Sequence, residues 1–196
     1  MKFHLLIILT LVLSSSVFGQ DKPACNLSLK EAPTVRGLKL GMTLKQVEDL
    51  VGERLTLDNK PTSVSEAKTR TTINVGEKQA LLVKFKGANF DGVIVLQLWF
   101  FNDILSGFEI MSRNPNAKWE NSSKFIDYVS TTFKLPRNGW KEVYPNSVLS
   151  CKEFSLGANL SGWGDSLETL LITNSIIADR LKKLANETYL KGLKKQ

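Results

Sequence analysis

Val93 to Phe101, VIVLQLWFF, is a run of nine residues in which only Gln97 interrupts apolar and aromatic side chains. The turn signals Phe90-Asp91-Gly92 and Asn102-Asp103 bound it, so it reads as a single strand. Ile94, Leu96, Leu98 and Phe100 share one face of that strand, while Val93, Val95, Trp99 and Phe101 dominate the other. Both faces need cover. The neighbouring segments 71–75, 79–86 and 104–112 also read as strands, separated by short turns such as Val75-Gly76-Glu77, and together they predict an antiparallel meander.

Helices are marked by their caps and stripes. In Leu38 to Gly52 (LKLGMTLKQVEDLVG), Thr43 and Gln46 have the spacing of a capping box, and Met42 and Val47 that of a hydrophobic staple. Gly52 stands where a helix ends in a left-handed residue, and Leu44, Val47, Leu50 and Val51 share one face. A second helix is expected from about Ser123 to Phe133, with Phe125, Ile126, Tyr128, Val129 and Phe133 as its apolar arc, stopped by Leu135-Pro136. Residues 148–156 read as a strand carrying Cys151, 157–164 as a loop and 167–173 as another strand. A third helix begins near Ser175, with Ile177, Leu181, Leu184, Ala185 and Thr188 in line and Leu190 and Leu193 off that line. The fold class is therefore α+β, an antiparallel meander packed by two or three helices, and no repeat is evident in the sequence.

Met1-Lys2, the apolar run Leu5 to Leu13 (LLIILTLVL) and the small residues Ser14 to Gly19 predict a cleaved secretory signal over residues 1–19. As a helix the apolar run spans roughly 14 Å, about half the hydrocarbon core of a bilayer, which is too short for an anchor. No cysteine directly follows it, so a lipid anchor is not expected either, and no later stretch reaches transmembrane length. The mature chain is then secreted or periplasmic, with an extended lead-in over 20–36, one domain over 37–175 and a basic C-terminal helix over 176–196. Two cysteines in an oxidising compartment most often pair, and a Cys25–Cys151 disulfide is the expectation, with free buried thiols or an intermolecular bridge as the alternative.

With 42% hydrophobic residues in 196, the chain has material for a sizeable core. Its one histidine, His4, lies in the export segment. The mature chain therefore excludes Ser-His-Asp and Cys-His catalysis and histidine metal sites, and no cofactor is expected. Ser65-Glu66-Ala67-Lys68 matches S-x-x-K without its companion motifs, and Gly162-Trp163-Gly164 lacks the third glycine of a nucleotide loop. Glu48 and Asp49 point to different sides of their helix. The net charge is +7, and much of it gathers between Ile176 and Gln196, where six basic residues face two acidic ones. A body with so little excess charge does not offer a nucleic-acid face, and the C-terminal helix reads as a solvated face, with weak contact to an anionic surface as the alternative. The sequons at Asn26, Asn121, Asn159 and Asn186 matter only in a host that glycosylates.

The helix start carried by Gly41, Met42, Thr43, Val47 and Gly52 resembles that of the SmpA/OmlA family, small lipoproteins of the outer-membrane assembly machinery, and is similar to the repeat of the β-lactamase-inhibitor-protein fold. The resemblance implies two helices packed on an antiparallel sheet. Ala32 to Met42 also resembles the A-P-x-x-R-G-L-x-L-G-M start of some secreted bacterial proteins. Binding surfaces favour large aromatic rings, which makes Trp163, Trp99 and Phe101 the candidate partner-binding residues, unless Trp99 and Phe101 lie under a helix. The reading is a secreted or periplasmic protein without catalytic activity that binds another envelope or secreted component. The alternatives are an inhibitor of a secreted hydrolase and a histidine-free enzyme using carboxylates.

Overall fold

The computed structural model describes residues 25–66, 69–84, 86–113, 119–161 and 167–194, so the expected export segment lies outside the described residues. Three helices form: α1 (Leu44–Val51), α2 (Ser122–Thr132) and α3 (Ser175–Leu193). The first strands are β1 (Asp58–Asn59), β2 (Thr62–Glu66), β3 (Thr69–Ile73), β4 (Glu77–Leu82) and β5 (Val93–Phe101). They are followed by β6 (Ile104–Arg113), β7 (Trp140–Val143), β8 (Asn146–Ser150), β9 (Phe154–Ser161) and β10 (Leu167–Asn174). Eight strands make one antiparallel sheet in the order β1-β4-β5-β6-β10-β9-β8-β7, and β2 and β3 pair as a separate hairpin. The chain is α+β with a Cys25–Cys151 disulfide, in agreement with the patterning. Among the described residues, no helix is long and apolar enough to cross a membrane.

The start of α1 follows from its capping chemistry. Gln46 N donates to Thr43 Oγ1 at 3.3 Å, and Thr43 N donates to Gln46 Oε1 at 2.8 Å. Gly52 ends the helix at φ 78°, a backbone state that costs a residue with a Cβ more than it costs glycine. The preceding segment is tied to the turn between β5 and β6: Gly41 N donates to Leu105 O at 3.0 Å and Leu44 N to Asp103 O at 2.8 Å. Thr43→Ala should cost about 1 kcal/mol, read as a lower denaturation midpoint, and an unchanged midpoint would show that the cap contributes nothing.

The order of the large sheet reveals a repeat that the sequence conceals. A helix followed by four sheet strands occurs twice, α1 with β1, β4, β5 and β6, then α2 with β7 to β10, and the last strands of the two halves, β6 and β10, pair at the centre. The helices match in detail. Val47 and Val51, four and eight residues after the cap Thr43, are buried; so are Phe125 and Val129, four and eight after the cap Asn121. These side chains join one core with Leu96, Leu98, Phe100, Phe108, Leu149, Leu156 and Ile172, so α1 and α2 cover the same face. The halves differ where strands one and two connect. Tyr144-Pro145 links β7 directly to β8, whereas the β2–β3 hairpin is inserted between β1 and β4.

Several boundaries depart from the sequence pattern. The segment expected as a sheet strand at 71–75 forms β3 two residues earlier and pairs with β2, because it belongs to the insertion. Cys151 lies in the turn between β8 and β9, not within a strand, and its N donates to Phe154 O at 2.9 Å. Residues 157–161, which read as loop, continue β9, because Gly157 and Ala158 have ladder partners in both β8 and β10. Tyr128, expected within the apolar arc of α2, is 48% exposed, and Ser130 is buried instead as the acceptor of Trp140 Nε1 at 3.1 Å. The lead-in is not wholly extended. Leu29–Glu31 form a short 3₁₀ turn whose Glu31 carboxylate accepts from Ser28 N and Oγ, bonds that hold its pKa below the ordinary carboxylate value.

Candidate functional site

Phe101 and Trp99 stand on the face of β5 opposite the main core, and α3 covers that end of the sheet. Asn174 makes this geometry by ending β10 and at once capping α3, its Oδ1 accepting from Ile177 N at 3.1 Å. The helix thus turns back over the sheet with Leu181 and Ala185 buried. Arg180 Cζ lies 5.4 Å from the Phe101 ring centroid. Both candidate rings are closed in, at 8% exposure for Trp99 and 9% for Phe101, so neither offers its face to a macromolecular partner while α3 stays in place. Trp163 lies outside the described residues.

Between α3, the β2–β3 hairpin and the sheet is a cavity of about 320 Å³, within the range that accepts small ligands. Trp99 helps line it, and Gly107 places it there. The two residues are opposite each other across β5 and β6, and a Cβ on Gly107 would come within 2.8 Å of Trp99 Cε3 and 3.2 Å of Thr173 Cγ2. The indole thus occupies space that any other residue would fill. Ser106 Oγ fixes the strand beneath by donating to Trp99 O at 3.1 Å. Gly107→Ala should displace the ring at a cost of about 1–3 kcal/mol, seen as a lower midpoint and a changed indole emission, and retention of both would show that the ring does not depend on this approach.

The charged part of the lining is internally paired. Lys60, just after β1, places Nζ 3.3 Å from Glu77 Oε2 and 4.3 Å from the Trp99 ring centroid. Its backbone N also donates to Glu77 O at 2.9 Å, so the two residues are joined twice. Glu77 is buried, and it is the one carboxylate among the described residues lining this cavity. Glu48 and Asp49 go to separate partners, Leu55 N and Lys45 Nζ. Among the described residues, no group of three or more His, Cys, Asp or Glu is placed to hold a metal ion.

Two polar side-chain atoms in the described residues are closed to solvent and lack a hydrogen-bond partner: Thr62 Oγ1 and Trp99 Nε1. Both belong to residues lining this cavity. The half-buried Trp119 and Trp140 indoles do have acceptors, donating to Glu168 Oε1 at 2.6 Å and to Ser130 Oγ at 3.1 Å. Leaving a buried donor unmade costs about 1–3 kcal/mol, which makes these two positions unusual within the described residues. Sequence reasoning found Trp99 but missed Lys60, Thr62, Glu77 and Gly107. The β2–β3 insertion and the β5–β6 register bring these residues together, and neither leaves a periodic signal. Comparison with protein-family models, curated proteins and solved structures found no match.

Proposed function

We propose that the mature chain is an exported, non-catalytic binding protein whose ligand occupies the cavity under α3. The observation that carries this reading is the cavity itself, about 320 Å³ under α3, with the Trp99 indole in its wall and the Lys60–Glu77 pair beside the ring. The signal-like N-terminus and the Cys25–Cys151 disulfide support a secreted or periplasmic location. The paired helix-and-four-strand halves support the resemblance to the SmpA/OmlA and β-lactamase-inhibitor-protein folds at the level of architecture. Lys60 and Glu77 pair with each other, and among the described residues Glu77 is the one carboxylate lining the cavity, which supports binding over carboxylate-pair chemistry there.

The test is thermal unfolding of the mature protein with the small-molecule fraction of its own extracellular or periplasmic compartment. A ligand at a hundredfold excess over its Kd adds about 2.7 kcal/mol, which for a chain of this size raises Tm by about 5 °C or more. The rise should saturate and should vanish in Ala178→Trp, which fills the cavity from the exposed side of α3. No rise, or an equal rise in the filled variant, would remove the cavity from the account.

A further inference from the structure

Independently of the cavity, we infer that the outer face of α3 docks on a membrane surface of anionic lipid. The helix is covered on one side, where Leu181 and Ala185 are buried. At about 100° per residue, the direction opposite those two falls on Ile176, Lys183, Leu190 and Lys194, with Leu193 and Lys191 on either flank. All six are exposed, Ile176 at 56%, Leu190 at 50% and Leu193 at 48%. Ile177 and Leu181, which line the cavity, lie on the covered side, so an occupant of one face does not compete for the other.

Charge and apolar surface together select the partner. Among the described residues, Lys183, Lys191 and Lys194 take part in no ion pair, unlike Lys45 and Lys60. Asp179 and Glu187 share the outer face and offset part of that charge, but the segment from Ile176 to Gln196 still holds six basic residues against two acidic ones. Lysines beside half-exposed leucines match a bilayer interface, where the amines meet lipid phosphates, the lysine stems lie along the apolar layer and the leucines enter it. A polyanion dissolved in water would answer the lysines and leave Ile176, Leu190 and Leu193 in solvent.

Co-sedimentation of the mature protein with two sets of vesicles tests this, one of equimolar phosphatidylglycerol and phosphatidylcholine, the other of phosphatidylcholine alone. The protein should pellet with the anionic set only, and less as salt rises. Each of Lys183→Gln, Lys191→Gln and Lys194→Gln should weaken binding about fivefold. Leu190→Ser combined with Leu193→Ser should weaken it about tenfold. These side chains are exposed, so the variants should keep the circular dichroism and Tm of the parent. A control combining Lys84→Gln, Lys86→Gln and Lys124→Gln removes the same charge from exposed positions elsewhere and should bind almost as the parent does. Equal losses in the two lysine sets would assign the binding to total charge and not to α3. Equal binding of soluble polyglutamate by the parent and by the double leucine variant, with no leucine effect on vesicles, would replace the lipid by an acidic chain. No pelleting with anionic vesicles at low salt would remove the docking surface altogether. Each of these three results overturns the inference and leaves the cavity reading as it stands.

Discussion

Reduction of the Cys25–Cys151 disulfide is expected to lower the unfolding free energy by about 4–5 kcal/mol, the chain-entropy value for a loop of 126 residues. Both half-cystines are buried, and Cys25 N donates to Ser150 O at 3.2 Å, so the bridge fastens the segment before α1 to the turn between β8 and β9. That segment carries Ala32 and Val35 into the core. It also spans the two halves, since its own helix lies in the first and Cys151 in the second. Denaturant titrations with and without reductant measure the effect, and protease digestion of the reduced protein should cut first before residue 37. Equal midpoints in the two states would show that the lead-in is held by packing alone.

Phe108→Ala should cost about 3–5 kcal/mol, because it opens a cavity at the junction of the two halves. Register aligns Leu98 with Phe108, Phe108 with Ile172, Ile172 with Leu156 and Leu156 with Leu149, a row crossing five strands. All five side chains are fully buried. Phe108 is the largest of them and sits in β6, one of the two strands that join the halves. Its loss should lower the midpoint of a single transition when followed by far-ultraviolet circular dichroism and by indole fluorescence. Separate transitions for the two probes would instead mean that the halves fold as independent units.

The parts of this fold that were legible in the sequence are those set by neighbours in the chain. The cap at Thr43, the left-handed Gly52 and the two-faced strand β5 depend on spacing within a few residues, and each appears in the structure with the same residues in the same roles. The disulfide followed from having only two cysteines to pair. The repeat was hidden because its second copy keeps only the positions that bury, with Phe125 for Val47 and Asn121 for Thr43, while the rest of the helix surface is free to differ. Residues 157–161 misled in the same way. Glycine and alanine have little strand propensity, yet a strand paired on both sides needs mainly their backbone groups. The cavity was least legible, since Lys60 and Glu77 meet only through the pairing of β1 with β4, and Trp99 meets Gly107 only through that of β5 with β6.

The central claim is that a ligand occupies the cavity whose wall Trp99 helps to form. The indole ¹H–¹⁵N spectrum of the mature protein, recorded before and after adding the small-molecule fraction of its compartment, tests this most directly. The Trp99 signal should begin upfield of those of Trp119 and Trp140, which already have acceptors, and should shift to saturation while those two stay fixed. A Trp99 signal that begins among the hydrogen-bonded indoles and does not respond to the added fraction would contradict it.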